Sequence, residues 1–167
     1  MRTALSRLAL VVVLMLSVAG SASAQQTVSD RYDHVFRKYT KRFFGPGYDW
    51  RIFKAQAMTE SNLDPAAQSR VGARGIMQLM PTTFKEVQSK NPEVLSIDDA
   101  EWNIAAGVFY DRQLWRQLTD HSQTDERRRF MFASYNAGRG TVRRAQGVAQ
   151  QNALDPLVWP SIEAVAP

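Results

Sequence analysis

Glu60 stands at the end of a predicted helix, after Ala57-Met58-Thr59 and before the polar stretch that opens with Ser61-Asn62. A carboxyl placed there, facing an apolar cleft, loses hydration of its charged form, and its pKa rises from about 4.3 towards roughly 6. Such a group still carries a proton near neutral pH and can hand it to the bridging oxygen of a glycosidic bond. No Lys or Arg follows within the next five positions to hold it ionised. A helix-end Glu is also an ordinary solvated surface residue, so type and position alone do not single it out. Most glycosidases add a second carboxyl as base or nucleophile. Asp64 precedes Pro65 and reads as a turn residue, and Asp98, Asp99 and Glu101 read as acids at a helix start. No second carboxyl is therefore expected beside Glu60, which leans towards chemistry done by one.

The elements that must position Glu60 read as helix after helix, with no alternating apolar run long enough for a strand. Ser29 or Asp30 is expected to cap a first helix to about Phe44, which Gly45-Pro46-Gly47 ends. Tyr48 to about Glu60 is the second, with Ile52, Phe53, Gln56 and Ala57 at helical spacing. Residues 61–75 carry Asn62, Asp64-Pro65, Ser69, Gly72 and Gly75, which is loop chemistry, with Gly72 and Gly75 expected at positive φ. A short apolar piece, Ile76 to Met80, stops at Pro81, and Thr83 with Glu86 has the spacing of a capping box for a helix to about Lys90, broken by Asn91-Pro92. Asp98 and Glu101 open the longest helix, to about Thr119, with Ile104, Val108, Trp115 and Leu118 as its apolar stripe. Thr124 is expected to cap a helix to about Asn136, stopped by Ala137-Gly138-Arg139-Gly140; a further helix runs from Thr141 to about Gln151, and a last turn or helix follows Asp155-Pro156.

Composition narrows the function classes. Arg2 and Arg7, the apolar run Leu8–Ala19 and Ala22-Ser23-Ala24 have the layout of a secretory signal peptide cleaved after Ala24. The run is too short to span a bilayer comfortably, which takes about 20 residues. With no Cys at the cleavage point, no stable membrane anchor is expected, and the chain is expected to be periplasmic or secreted. The remaining 143 residues suit one domain, and without Arg2 and Arg7 the formal charge falls from +5 to +3. That excess suits an anionic polymer and is too small for nucleic acid. Zero Cys excludes a disulfide framework, and His34 and His121 alone do not make a His-rich metal site; no cofactor is expected.

Four ordered motifs carry a resemblance. Glu60-Ser61-Asn62-Leu63-Asp64-Pro65 is similar to an "ES-x-x-x-P" signature. Gly72-Ala73-Arg74-Gly75-Ile76-Met77-Gln78-Leu79-Met80-Pro81-Thr82-Thr83 resembles "G-A-x-G-L-M-Q-L-M-P-x-T". Asn103-Ile104-Ala105-Ala106-Gly107 resembles "N-I-x-x-G", and Ser134-Tyr135-Asn136-Ala137-Gly138-Arg139-Gly140 resembles "A-Y-N-A-G-x-G". Together they resemble the soluble lytic transglycosylase and goose-type lysozyme superfamily. The flanks Tyr48-Asp49-Trp50-Arg51 and Asp155-Pro156-Leu157-Val158-Trp159 are most similar to the catalytic domain of membrane-bound lytic transglycosylase F. Trp102 departs from the pattern, in which an acidic or polar residue precedes the motif's Asn.

The resemblance implies an all-α, lysozyme-like single domain over 48–167; before it, the signal peptide at 1–24 and a helical extension at 25–47 are read from the residues themselves. It implies cleavage of peptidoglycan between N-acetylmuramic acid and N-acetylglucosamine, with Glu60 as acid and then base and a 1,6-anhydro product. Hydrolysis of the same bond and a catalytically inactive peptidoglycan-binding module are the alternatives. By the same resemblance Ser61 orients Glu60 or simply turns the loop, and Met77 lines the groove or packs in the core. Gln78 contacts an N-acetyl or hydroxyl group, Tyr135 borders the groove near Glu60, and Asn136 lies beside it with a structural role favoured. Trp50, Trp102 and Trp115 stack on sugars or pack in the core. Relatives usually continue to a further helix with a Tyr that frames the site, and transglycosylase F carries a further N-terminal domain. The chain is accordingly expected to be either a one-domain form or a truncated one.

Overall fold

The computed structural model describes residues 30–119 and 124–165; the expected signal peptide, Ser29 and His121 lie outside them. Among the described residues seven helices follow in order: α1 (Asp33–Phe44), α2 (Arg51–Ser61), α3 (Pro81–Lys90), α4 (Ala100–Gln117), α5 (Thr124–Ala137), α6 (Arg139–Gln151) and α7 (Trp159–Glu163). Among the described residues there is no strand, only two isolated bridges that close the loop after Glu60, Gln68 to Arg74 and Arg74 to Leu79.

Most helix ends follow the chain's own punctuation. Gly45 at φ 98° closes α1, and Gly138 at φ 81° separates α5 from α6. Several starts differ from expectation, among them Arg51 in place of Tyr48 and Arg139 in place of Thr141, and two of them have a clear cause. The third helix begins at Pro81, not at a Thr83 cap, because proline's fixed φ and missing N–H suit the first helical position. The longest helix is capped by Asp99, whose Oδ1 accepts the Trp102 N–H at 3.0 Å, while Asp98 turns outward to pair with Arg74.

α4 is the axis of the domain. Asn103–Val108, Asp111 and Leu114 are all buried, a face too wide for a surface helix. α1 packs on it through Val35, Phe36 and Tyr39 and therefore belongs to the main core. Glu101 fixes that pairing, accepting from Lys38 Nζ at 2.7 Å and Tyr39 Oη at 3.0 Å. The Lys38 bond holds the Glu101 carboxyl below its ordinary value. Trp102 and Trp115 pack against this core. Trp50 packs with the guanidinium groups of Arg37 and Arg51, 4.6 and 5.1 Å from its ring. A smaller cluster, Phe130, Val142, Ala149 and Ile162, joins α5, α6 and α7.

Between α2 and α3 the chain has no regular element, yet backbone bonds hold it closed. Arg74 and Leu79 exchange both backbone bonds at 2.9 and 3.0 Å, and the Gly75 N–H reaches the Ala67 carbonyl at 2.9 Å. Asn103 pins this loop to α4. Its buried amide accepts the Met77 N–H at 2.8 Å and donates to the Arg74 and Ile97 carbonyls at 3.0 and 2.9 Å. The approach is so close that a Cβ on Gly75 (φ 74°) would lie 2.4 Å from the Asn103 amide nitrogen. One turn along α4, a Cβ on Gly107 would lie 2.7 Å from Met77. The glycines are thus spaces into which loop and helix settle.

Candidate active site

Ile52, Gln56 and Glu60 recur every fourth residue on one face of α2 and meet Phe132 and Asn136, also four apart, on α5. Together with Ala55 and Thr59 they enclose a pocket of about 390 Å³, within the range of small-ligand sites. The edge-on contact of Phe53 with Phe132, 6.3 Å between centroids, seats the two helices against each other. Ile52, Ala55 and Phe132 make much of the wall apolar. Glu60 is half-buried against it, and burial raises its carboxyl above the ordinary 4.5. Among the described residues no Lys or Arg pairs with it to offset that cost.

Behind the pocket lies a layer of buried polar groups. Tyr135 Oη donates to the Met77 carbonyl at 2.7 Å, and its ring lies 5.4 Å from that of Tyr110. Burial pushes the Tyr135 phenol well up, and the charges of Asp111 and Glu60 add to it. Asp111, in the middle of α4, is fully buried, and its carboxyl is pushed well above 3.8, first by loss of hydration and also by the Glu60 charge; the Gln56 amide beside it acts the other way. A second carboxyl therefore does lie near Glu60, against the expectation from sequence. It is enclosed in the core, so it cannot touch a sugar in the pocket.

A Glu in a half-apolar pocket, joined to a loop that is pinned by Asn103 and Tyr135, uses all four motifs at one site. The family model described as "Transglycosylase SLT domain" matches residues 36–157. The chain belongs to the transglycosylase SLT domain family. It is 40% identical over 121 residues to the membrane-bound lytic murein transglycosylase F of Desulfosudis oleivorans, a match covering 72% of this chain and 26% of that protein. It is 35% identical over 137 residues to the protein of that name from Shewanella pealeana, covering 82% and 26%. The chain thus spans about a quarter of the length of these relatives. Among solved structures, the 70 kDa soluble lytic transglycosylase of Escherichia coli matches with a TM-score of 0.57 and 32% identity, covering 68% of this chain and 18% of that one. The described part of this SLT domain is all-α and lysozyme-like, as expected.

Within the SLT domain the site residues expected from sequence divide in an unexpected way. Ser61 ends α2, and its hydroxyl donates its one proton to the Ile76 carbonyl at 2.8 Å. It therefore fastens the loop and does not donate to Glu60. Met77 is fully buried and packs on Gly107, so it is core and not groove. Gln78, at φ 45°, donates its amide to the Gly75 and Ala67 carbonyls at 2.9 and 3.2 Å, which makes it a brace of its own turn. Asn136, against the expected structural role, is exposed and lines the Glu60 pocket. Asp64 caps its turn, accepting the Ala66 N–H at 2.9 Å. Sequence reasoning missed Gln56, Phe132 and Asp111 as parts of the site. A signal for Asp111 was present, because it stands three residues after Val108 and four before Trp115, an acid on an apolar stripe.

Tyr135→Phe keeps the ring and removes only the donor to the Met77 carbonyl. A loss of about 1 kcal/mol in thermal unfolding is expected, the size of one ordinary hydrogen bond. No change in stability would mean that the bond contributes nothing to holding the loop.

Proposed function

We propose that this SLT domain cleaves the bond between N-acetylmuramic acid and N-acetylglucosamine in peptidoglycan as a lytic transglycosylase, with Glu60 as its single working carboxyl. The observation that carries the reading is the Glu60 pocket: a carboxyl held above its ordinary pKa by an apolar wall, with no paired cation among the described residues, where an acid must arrive protonated. The names of the relatives and of the solved neighbour support the substrate class.

In this mechanism Glu60 gives its proton to the bridging oxygen as the bond from that oxygen to C1 breaks. The carboxylate left behind then takes the proton of the muramic acid C6 hydroxyl. O6 closes onto C1, and the 2-acetamido group supports the cationic carbon in between. The proton count closes on the same carboxyl, so neither a water nor a second carboxyl is needed. Hydrolysis would need a second carboxyl at the pocket to activate water, and the enclosed Asp111 cannot serve as one. The expected signal peptide and the name "membrane-bound" of the relatives fit action in the periplasm or outside the cell. Among the described residues no helix is long and apolar enough to cross a membrane.

Mass spectrometry of products released from purified sacculi tests the reaction. Anhydromuropeptides are the expected result; reducing ends would make the protein a hydrolase, and no release would leave it a binding module. The pH profile tests the acid. The protonated form of Glu60 does the work, so kcat/KM should be full below its raised pKa and fall as pH rises through it, with the midpoint above 4.5. A midpoint at or below that value would remove burial as the device.

A further inference from the structure

Two helices bring polar side chains together beside the Glu60 pocket without giving them ordinary partners. Both carboxyl oxygens of Asp111 on α4 and both amide atoms of Gln56 on α2 are buried and lack a hydrogen bond of full geometry. Nearly all buried polar groups are satisfied, so several orphans in one layer call for a physical reason. The Gln56 amide lies against the Asp111 carboxyl. One turn further along the same face of α2, Glu60 opens into the pocket that Gln56 also lines. The groups whose charges reach Asp111 are few. They are Glu60 on α2, Tyr48 before it, Tyr110 on its own helix and Tyr135 on α5. Each of these is neutral or negative, and among the described residues only the Gln56 amide favours the carboxylate.

A carboxylate so enclosed would carry a large desolvation cost, whereas the neutral acid carries little and gains a donor. A neutral Asp111 can donate its O–H to the Gln56 carbonyl oxygen and leave the NH2 free, whereas an ionised Asp111 takes the NH2, the sense in which this amide lowers the Asp111 carboxyl, and leaves the carbonyl oxygen free. The proton on Asp111 thus decides which end of the Gln56 amide is left free on the helix that carries Glu60. We propose that Asp111 is a positioning residue that remains a neutral carboxylic acid through turnover and, by orienting the Gln56 amide, sets the pocket wall against which Glu60 exchanges its proton.

The catalytic part of this inference rests on the proposed role of Glu60; the protonation of Asp111 does not, and the two are tested apart. In a Glu60→Gln background, the infrared spectrum at neutral pH should show a protonated-carboxyl carbonyl band that disappears on adding Asp111→Asn. Absence of that band would overturn the proposal whatever the activity assays give. Linkage gives a second reading that needs no catalysis. A folded-state pKa above 3.8 means that the native state holds this proton longer than the unfolded chain. The contribution to stability is therefore complete below that value and declines as pH rises towards the folded-state pKa. Between the two pKa values the folding constant of the wild type should fall relative to Asp111→Asn by up to about tenfold per pH unit. Equal slopes for the two proteins would also overturn the proposal.

Activity on sacculi then tests positioning. Asp111→Asn is neutral and nearly isosteric and should keep kcat within about threefold. Asp111→Leu and Gln56→Leu should each lower kcat about tenfold with little change in KM, and their combination should cost no more than either alone. If Asp111→Asn is as impaired as Asp111→Leu, the neutral-acid role fails. If the band and slope appear but Glu60→Gln stays active, the proposed function fails while the protonation of Asp111 stands. Should Asp111→Leu not fold, the Asp111→Asn and Gln56→Leu arms still decide.

Discussion

Glu60→Gln is expected to reduce release of muropeptides from sacculi by about 10³-fold in kcat while leaving the fold intact, since general acid catalysis by a placed side chain supplies a factor of roughly 10² to 10⁴. Gln has the shape of the protonated acid and cannot give up a proton at the bridging oxygen. Because one carboxyl is proposed to act twice, as acid on the leaving oxygen and as base on the C6 hydroxyl, its removal takes both steps. The fold should tolerate the change. Burial already favours the neutral side chain, and the amide fills the same half-apolar site. Stability at neutral pH should hold or rise slightly. A group with a raised pKa contributes most below its unfolded value and loses that contribution as pH climbs, and Gln removes the dependence. Circular dichroism and thermal unfolding would establish that the variant is folded. A folded Glu60→Gln protein that releases muropeptides at the wild-type rate would sink the assignment of Glu60.

The helical scaffold was legible because apolar spacing and local punctuation are written in short stretches of chain. Gly45, Asn91-Pro92 and Gly138 end helices where they stand, and the stripe through Ile104 and Val108 is buried. Glu60 stood out only through the motifs around it, since its burial depends on Ile52 in its own helix and Phe132 on another. Side-chain direction in the loop was not legible. Met77 and Gln78 are neighbours, yet Asn103, twenty-six residues on from Met77, pulls the Met77 backbone inward, and the left-handed turn at Gln78 then folds its amide back on Gly75 and Ala67. Expecting both in a groove required the path of the loop, which is set by contacts distant in sequence. Asp111 was hidden differently. Asp111 is neither near Glu60 in the chain nor at a helix start, and α4 brings its middle under the pocket from 51 residues further on. An acid on an apolar stripe is itself a local signal, because a buried carboxyl is costly and rarely sits there without a reason.

The largest stability effect should come from Asn103→Ala. The wild-type amide satisfies three backbone groups, the Met77 N–H and the Arg74 and Ile97 carbonyls, at 2.8 to 3.0 Å in a buried place. Alanine leaves all three unpaired at once. Each buried unsatisfied group costs about 1–3 kcal/mol. Partial relaxation towards solvent recovers some of it, so a net loss of about 3 kcal/mol is expected, at the upper end for single substitutions. For a domain of this size that is a fall of roughly 10 °C in Tm. The loss should also be visible locally. Gly75 has its close approach only because the Asn103 amide is there, and the Met77 carbonyl that receives Tyr135 lies on the same backbone. Hydrogen exchange should therefore speed up first at the Met77 and Leu79 amides and later in α4. Asn103→Asp is the sharper control. It keeps the acceptor for the Met77 N–H but places a carboxylate oxygen where Nδ2 donated to two carbonyls, so it should be at least as damaging as alanine. If either variant unfolds within about 1 kcal/mol of the wild type, the loop beside Glu60 is held by its own backbone bonds, and the pin from α4 is dispensable.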